Sequence, residues 1–111
     1  MDRVELFETC IKEVLKNYAK YLSGNGIYKI QTVFDTEEKR FLVQSIGWQG
    51  TERIFSTLVQ FEIIDEKIWF QHNDTEEEFI PELEERGIQK QDIVLGFYPP
   101  EDRKFTDFAV A

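Results

Sequence analysis

A single cysteine and a single histidine leave this chain little reactive side-chain chemistry. Cys10 has no second thiol, so no internal disulfide can form, which fits a reducing compartment. His72 has no second imidazole, and one cysteine with one histidine cannot make a zinc site. No glycine motif of the phosphate-binding kind follows a strand; Gly24 and Gly26 come after a helix-like segment and read as a cap and a turn. No apolar run approaches the roughly 20 residues that span a bilayer. The start Met1-Asp2-Arg3 lacks the basic-then-apolar order of a secretion signal. Positive charge is short as well: 13 Lys and Arg face 22 Asp and Glu, a formal net charge of −9. A surface this acidic repels phosphate backbones at long range, so direct nucleic-acid binding by the chain alone is disfavoured. The expectation is a cytoplasmic protein with no membrane association, no metal, no cofactor and no catalytic set.

What is present suits one globular domain covering residues 1–111. Hydrophobic residues make up 41% and charged residues 32% of the chain, ordinary values for a folded domain. Ten phenylalanines, four tyrosines and two tryptophans supply large core pieces. A chain of this size buries roughly two-thirds of the surface that its unfolded form exposes and needs no cross-link. The acidic excess serves solubility, and it also suits a basic protein partner.

The order of elements follows from periodicity. Val4, Phe7, Ile11, Val14 and Tyr18, then Tyr21 or Leu22, fall three and four apart and draw one stripe on a helix over residues 2–22. Cys10 adjoins that stripe as a small packing residue. On the other face Glu8 and Lys12 are placed to pair, whereas Lys16 and Lys20 repel. Ser23-Gly24-Asn25-Gly26 supplies left-handed conformers that stop the helix. Four strand-like runs follow at residues 28–34, 41–48, 53–64 and 67–72, joined by turns at 35–39, 49–52 and 65–66. Period-two patterning with short joins implies consecutive antiparallel hairpins. Thr75 and Glu78 have capping-box spacing, but Pro81 moves the start of a second helix towards Ile80. Gly87 ends that helix as a left-handed cap, with Ile88 as its hydrophobic partner. A turn at 90–92 leads to Ile93-Val94-Leu95, and Gly96-Phe97-Tyr98-Pro99-Pro100 breaks regular structure. The tail 105–111 is too apolar to dangle and is expected to pack on the domain or on another copy. The predicted fold is α+β: a four-stranded antiparallel meander, a long N-terminal helix and a shorter C-terminal helix on one face.

Candidate contact residues are those near turns or the tail and not clearly in the core: Trp48, Arg53, His72, Phe97, Tyr98 and Arg103. Most strand aromatics, among them Phe55, Phe61 and Phe70, read as core. A sheet has a second face, though, and aromatics there would need a partner. Arg53 and Arg103 suit a carboxylate or phosphate, and the plainer expectation is a surface salt bridge. His72 beside Asp74 could serve a small-molecule pocket; the plainer expectation is a strand-end histidine bonded to the turn. The glutamates at 76–78, 82, 84 and 85 spread around a helix and read as a solvated face rather than a cation site.

Three segments carry a family resemblance: IGWQGTER at 46–53, KIWFQHNDTE at 67–76 and GIQKQDIVLGFYPPEDRKFTDFAVA at 87–111. Together with the opening helix they resemble the XisI family of excision controlling factors over nearly the whole chain. The chain departs from that pattern at Asn73-Asp74, where Asp-Gly is usual, and at Gln89, where proline is common. The resemblance implies a non-catalytic accessory role beside an XisH-like protein and a site-specific recombinase in the excision of a DNA element. XisH-like proteins resemble nucleases, so inhibition of such a partner is a second expectation, and a small-molecule-binding domain a third. Aromatics on the sheet and the apolar tail further suggest a homodimer.

Overall fold

A computed structural model describes residues 2–24 and 28–111. Helix α1 spans Arg3–Ser23. It starts where the Asp2 side chain accepts a 2.8 Å bond from the Glu5 amide, an N-cap. Phe7, Cys10, Ile11, Val14, Leu15 and Ala19 form its buried stripe. Tyr21, a candidate for the end of the stripe, is instead 67% exposed. The Glu8–Lys12 pair forms at 3.3 Å. Cys10 is buried against the core with its thiol raised by desolvation, which makes it a packing residue. Gly24 closes the helix in a right-handed conformation, not the left-handed one expected. The expected left-handed stop at Asn25 and Gly26 lies outside the described residues.

Strands β1 (Lys29–Asp35), β2 (Arg40–Gln49), β3 (Glu52–Ile64) and β4 (Lys67–Asn73) make the expected antiparallel meander. The four-strand count needs correction. Ile93–Leu95 forms β5, which pairs parallel with β4 and gives the order β1-β2-β3-β4-β5. Three residues are too few to show a period, and all three are buried, so no alternation could mark them as a strand.

The crossover from β4 to β5 contains α2 (Phe79–Glu85). Its start at Phe79 puts Pro81 in the first turn, where a missing amide costs nothing. The Thr75–Glu78 capping box does not form. Asn73 Oδ1 instead accepts from the Thr75 amide (3.0 Å) and hydroxyl (2.6 Å), and Thr75 Oγ1 accepts from the Glu77 amide (3.1 Å). These bonds fix the loop as a polar turn ahead of the helix. The far end is as expected. Gly87 sits at φ +95°, its amide bonded to Glu84 O and that of Ile88 to Leu83 O. Buried Leu83 and Ile88 supply the apolar contact of this cap. A 3-10 turn (Lys90–Asp92) and a short helix α3 (Pro100–Arg103) flank β5.

Helix α1 lies across β1, β2 and β3 and touches α2. The core lies between them, built from Phe41, Val43, Val59, Phe61, Ile63, Ile68 and Phe70 of the sheet and the buried stripe of α1. The tail packs on the domain. The Ala109 amide bonds Ile93 O at 2.9 Å beside β5, although Phe105 stays 80% exposed.

The β3–β4 turn carries strain. Asp65 and Glu66 both have positive φ, 50° and 61°, as a tight two-residue hairpin of the primed type requires. A side chain in this region costs about 1–2 kcal/mol, and glycine avoids that cost at the expense of a looser unfolded chain. Glu66→Gly is therefore expected to stabilise the fold by about 0.5–1 kcal/mol, read as a higher urea midpoint with an unchanged slope.

Candidate functional site

The register of the meander sorts its side chains between two faces. Phe41 opposite Phe61 and Val43 opposite Val59 point at α1. The intervening pairs, Leu42–Gln60, Gln44–Thr57, Ile46–Phe55 and Trp48–Arg53, therefore point away from it. Among the described residues no helix covers that open face at the β2–β3 end, where Trp48 is 58% and Phe55 62% exposed. The Arg53 guanidinium lies 5.2 Å from the Trp48 ring centroid and 6.0 Å from that of Phe55. It bridges the rings as a cation over two π faces rather than forming the expected surface salt bridge. Phe55 is thus not core, as its sequence suggested. Alternation alone could not assign it, because a bulge at Leu58 shifts the phase between it and buried Val59.

The charge of this face opposes that of the whole chain. Register places Lys29, Arg40, Arg53 and Lys67 on it, against Asp35 and Glu62. Arg40 and Glu62 pair at 3.6 Å. The acidic excess therefore sits on the helical side and the loops. His72 is exposed opposite Gln60 on the open face. Its Nε2 is 3.1 Å from Thr57 O, so it bonds the neighbouring strand and not the following turn.

The other three candidates cluster beyond β5. Phe97 and Tyr98 are 46% and 43% exposed, ring edge to ring face at 5.2 Å, and Phe97 packs edge-on against Phe70 at 5.3 Å. Arg103 is only 9% exposed. Its Nε donates to Leu95 O (3.3 Å) and Tyr98 O (3.1 Å), and its guanidinium lies 4.9 Å from the Trp69 ring centroid. It fastens the C-terminal segment to the sheet and is not available to a surface salt bridge. Five of the six candidates therefore fall into an open-face group of Trp48, Arg53 and His72 and an edge group of Phe97 and Tyr98, while Arg103 is buried.

A cavity of about 520 Å³ opens between the end of α1, the sheet and the loop before α2. Asp74 lines it but His72 does not, so the two do not share a pocket. Among the described residues no three of His, Cys, Asp and Glu group to hold a metal ion, and no helix is long and apolar enough to cross a membrane.

Comparison with known proteins fits this architecture. No curated protein matches the chain. Two crystal structures, both of proteins from Anabaena variabilis ATCC 29413, match nearly end to end. One is a XisI-like protein, 35% identical, with TM-score 0.91 over 97% of this chain and 99% of its own. The other is the fdxN element excision controlling factor XisI, 28% identical, with TM-score 0.85 over 99% of this chain and 100% of its own. The family model for XisI protein matches residues 1–110. A match of that extent, together with a fold shared at that similarity, establishes that the chain belongs to the XisI family.

Proposed function

We propose that this chain is a non-catalytic accessory factor of the cytoplasm that acts through a protein partner in the excision of a DNA element. The process is taken from its relative, named as an fdxN element excision controlling factor. The mode of action is carried by one observation: Trp48 and Phe55, bridged by Arg53, stand exposed on the open face of the sheet. Tryptophan and arginine are the residues in which interface binding energy concentrates. An exposed group of this kind in a monomer marks a contact surface. The partner is an XisH-like protein: the net charge of −9 repels DNA at long range, and the basic excess of the open face itself suits an acidic surface on that partner.

Co-expression with an XisH-like protein, followed by sizing, tests this reading. The expected result is a stable complex in which Trp48→Ala and Phe55→Ala each weaken binding about 30-fold, equivalent to about 2 kcal/mol at a hot spot. Both variants should still unfold cooperatively, since neither side chain is core. A complex indifferent to the double substitution, or no complex, overturns the proposal. Nuclease activity of the partner with and without the chain then tells assistance from inhibition. A mobility shift of DNA by the chain alone at physiological salt would contradict action through protein.

A further inference from the structure

The cavity beside α1 is a built space whose walls come from five elements. Tyr18, Tyr21 and Leu22 reach it from the last turns of α1, Tyr28 from just before β1, Ile30 from its start, and Ser45 and Leu58 from β2 and β3. The loop 74–77 lines another side. These walls are held in place. Tyr18 packs edge-on against buried Phe79 at 5.2 Å. The Asp74 amide bonds Leu58 O at 2.7 Å, and Asn73 Nδ2 bonds Glu77 O at 3.2 Å. Tyr28 packs against Gly47, where an added Cβ would come to 3.0 Å from its ring. At the floor, Ser45 is 4% exposed and its hydroxyl is 3.1 Å from that of Ser56, so a small polar residue occupies a position where a large apolar one would fill the space.

The lining has one sign of charge. Asp74, Glu76 and Glu77 contribute carboxylates, and among the described residues no Lys, Arg or His lines it. A second lobe of about 380 Å³ shares Tyr18, Tyr21 and Glu77 and adds Asn17 and Glu82. Among the described residues none of these four carboxylates is in an ion pair, whereas Glu8, Glu13, Glu62, Glu84 and Asp92 all are. Helix α1 also ends here, and its C-terminal dipole adds partial negative charge. Glu82 is raised above the ordinary carboxylate range by burial and then by Glu77, with the nearby Arg86 guanidinium offsetting only part of that rise. Three tyrosine rings with carboxylates at the rim suit an organic cation, attracted by π faces and carboxylates together.

We propose that this cavity binds an aliphatic ammonium group on an apolar stem. The stem lies among Tyr21, Leu22, Ile30 and Leu58, and the charged head sits between the Tyr18 ring and Glu77. The cation is either a small free amine or a lysine side chain, which share this chemistry. The site is separate from the open-face patch and does not depend on the partner proposed for it.

Amide spectra of the full chain titrated with hexylammonium, and separately with hexanoate, test this directly. The two probes share a stem and differ in the sign of the head. Hexylammonium should shift the amides of residues 18–22, 30, 45 and 74–77 saturably, and hexanoate should not. Glu77→Gln and Tyr21→Ala, both at exposed positions, should each weaken the ammonium at least fivefold with the rest of the spectrum unchanged. An Nα-acetyl-lysine methylamide that binds within threefold of hexylammonium assigns the site to a lysine of another protein; one that binds much more weakly assigns it to a free amine. Equal shifts from both probes, no saturation, or indifference to both substitutions would overturn the proposal.

Discussion

Replacing Phe79 with alanine is expected to cost about 3–5 kcal/mol of folding stability. Phe79 is 1% exposed at the first position of α2. Its ring meets Tyr18 of α1 at 5.2 Å, Phe61 at 6.2 Å and Phe70 at 6.3 Å, all edge to face. Phe61 and Phe70 are themselves stacked at 4.5 Å. One side chain thus joins α2 to α1 and to two neighbouring strands, and the rings around it are held by one another and cannot collapse into the space it leaves. A domain of this kind has a total stability of about 5–15 kcal/mol, so the loss is a large share. Urea denaturation of the variant should show a much lower midpoint. Phe79→Leu, which keeps most of the volume, should cost less than half as much. Equal costs for the two would mean that the aromatic geometry, and not the volume, carries the effect.

The second large effect is expected at Arg103. Arg103→Met keeps the length and the apolar stem but removes the donor from Leu95 O and Tyr98 O and the cation from Trp69. Tyr98 O loses this donor and Leu95 O keeps only the Tyr98 amide, and together with the lost charged hydrogen bonds and the cation over the indole this amounts to about 2–4 kcal/mol. Arg103→Lys should recover less than half of this, because an ammonium has no Nε at the branch of the side chain and cannot lie flat on the indole. In a Trp48→Phe background, emission reports Trp69 alone and should move to longer wavelength in both variants. Faster exchange of the Ala109 amide should accompany it, since that amide is bonded to Ile93 O in the segment that Arg103 fastens.

Parts of this molecule can be read directly from its sequence, because local rules govern them. The α1 stripe, the hairpin turns, the late start of α2 and the Gly87 cap each follow from residues within a few positions of one another. The pairing of Trp48 with Arg53 follows from the two-residue turn at Gly50-Thr51 between them. What escaped the sequence depends on partners distant along the chain. Ile93–Leu95 becomes a strand because β4 presents an unpaired edge to it. Arg103 looks like any surface arginine until the fold brings Trp69 and two carbonyls to it. Thr75 had the spacing of a cap, but Asn73 offered its hydroxyl and amide a nearer partner. Alternation puts Phe55 in the core, because the bulge at Leu58 has no signature in residue type.

The parallel attachment of β5 also has a consequence in time. Strands β1 to β4 join through turns of two to four residues, so each hairpin can close as soon as its second strand has left the ribosome. The edge of β4 cannot be covered so early. Its partner lies beyond α2, and the Ala109 contact that covers β5 in turn lies farther still along the chain. A nascent chain therefore passes through a stage in which the meander has formed but Trp69 and Phe70 stand on an open edge, the kind of surface that recruits chaperones or other chains. Pulse-labelled refolding should show protection of the β2–β3 amides ahead of those of residues 93–96 and 109. Protection of both groups in a single step would show instead that the fold closes as one unit.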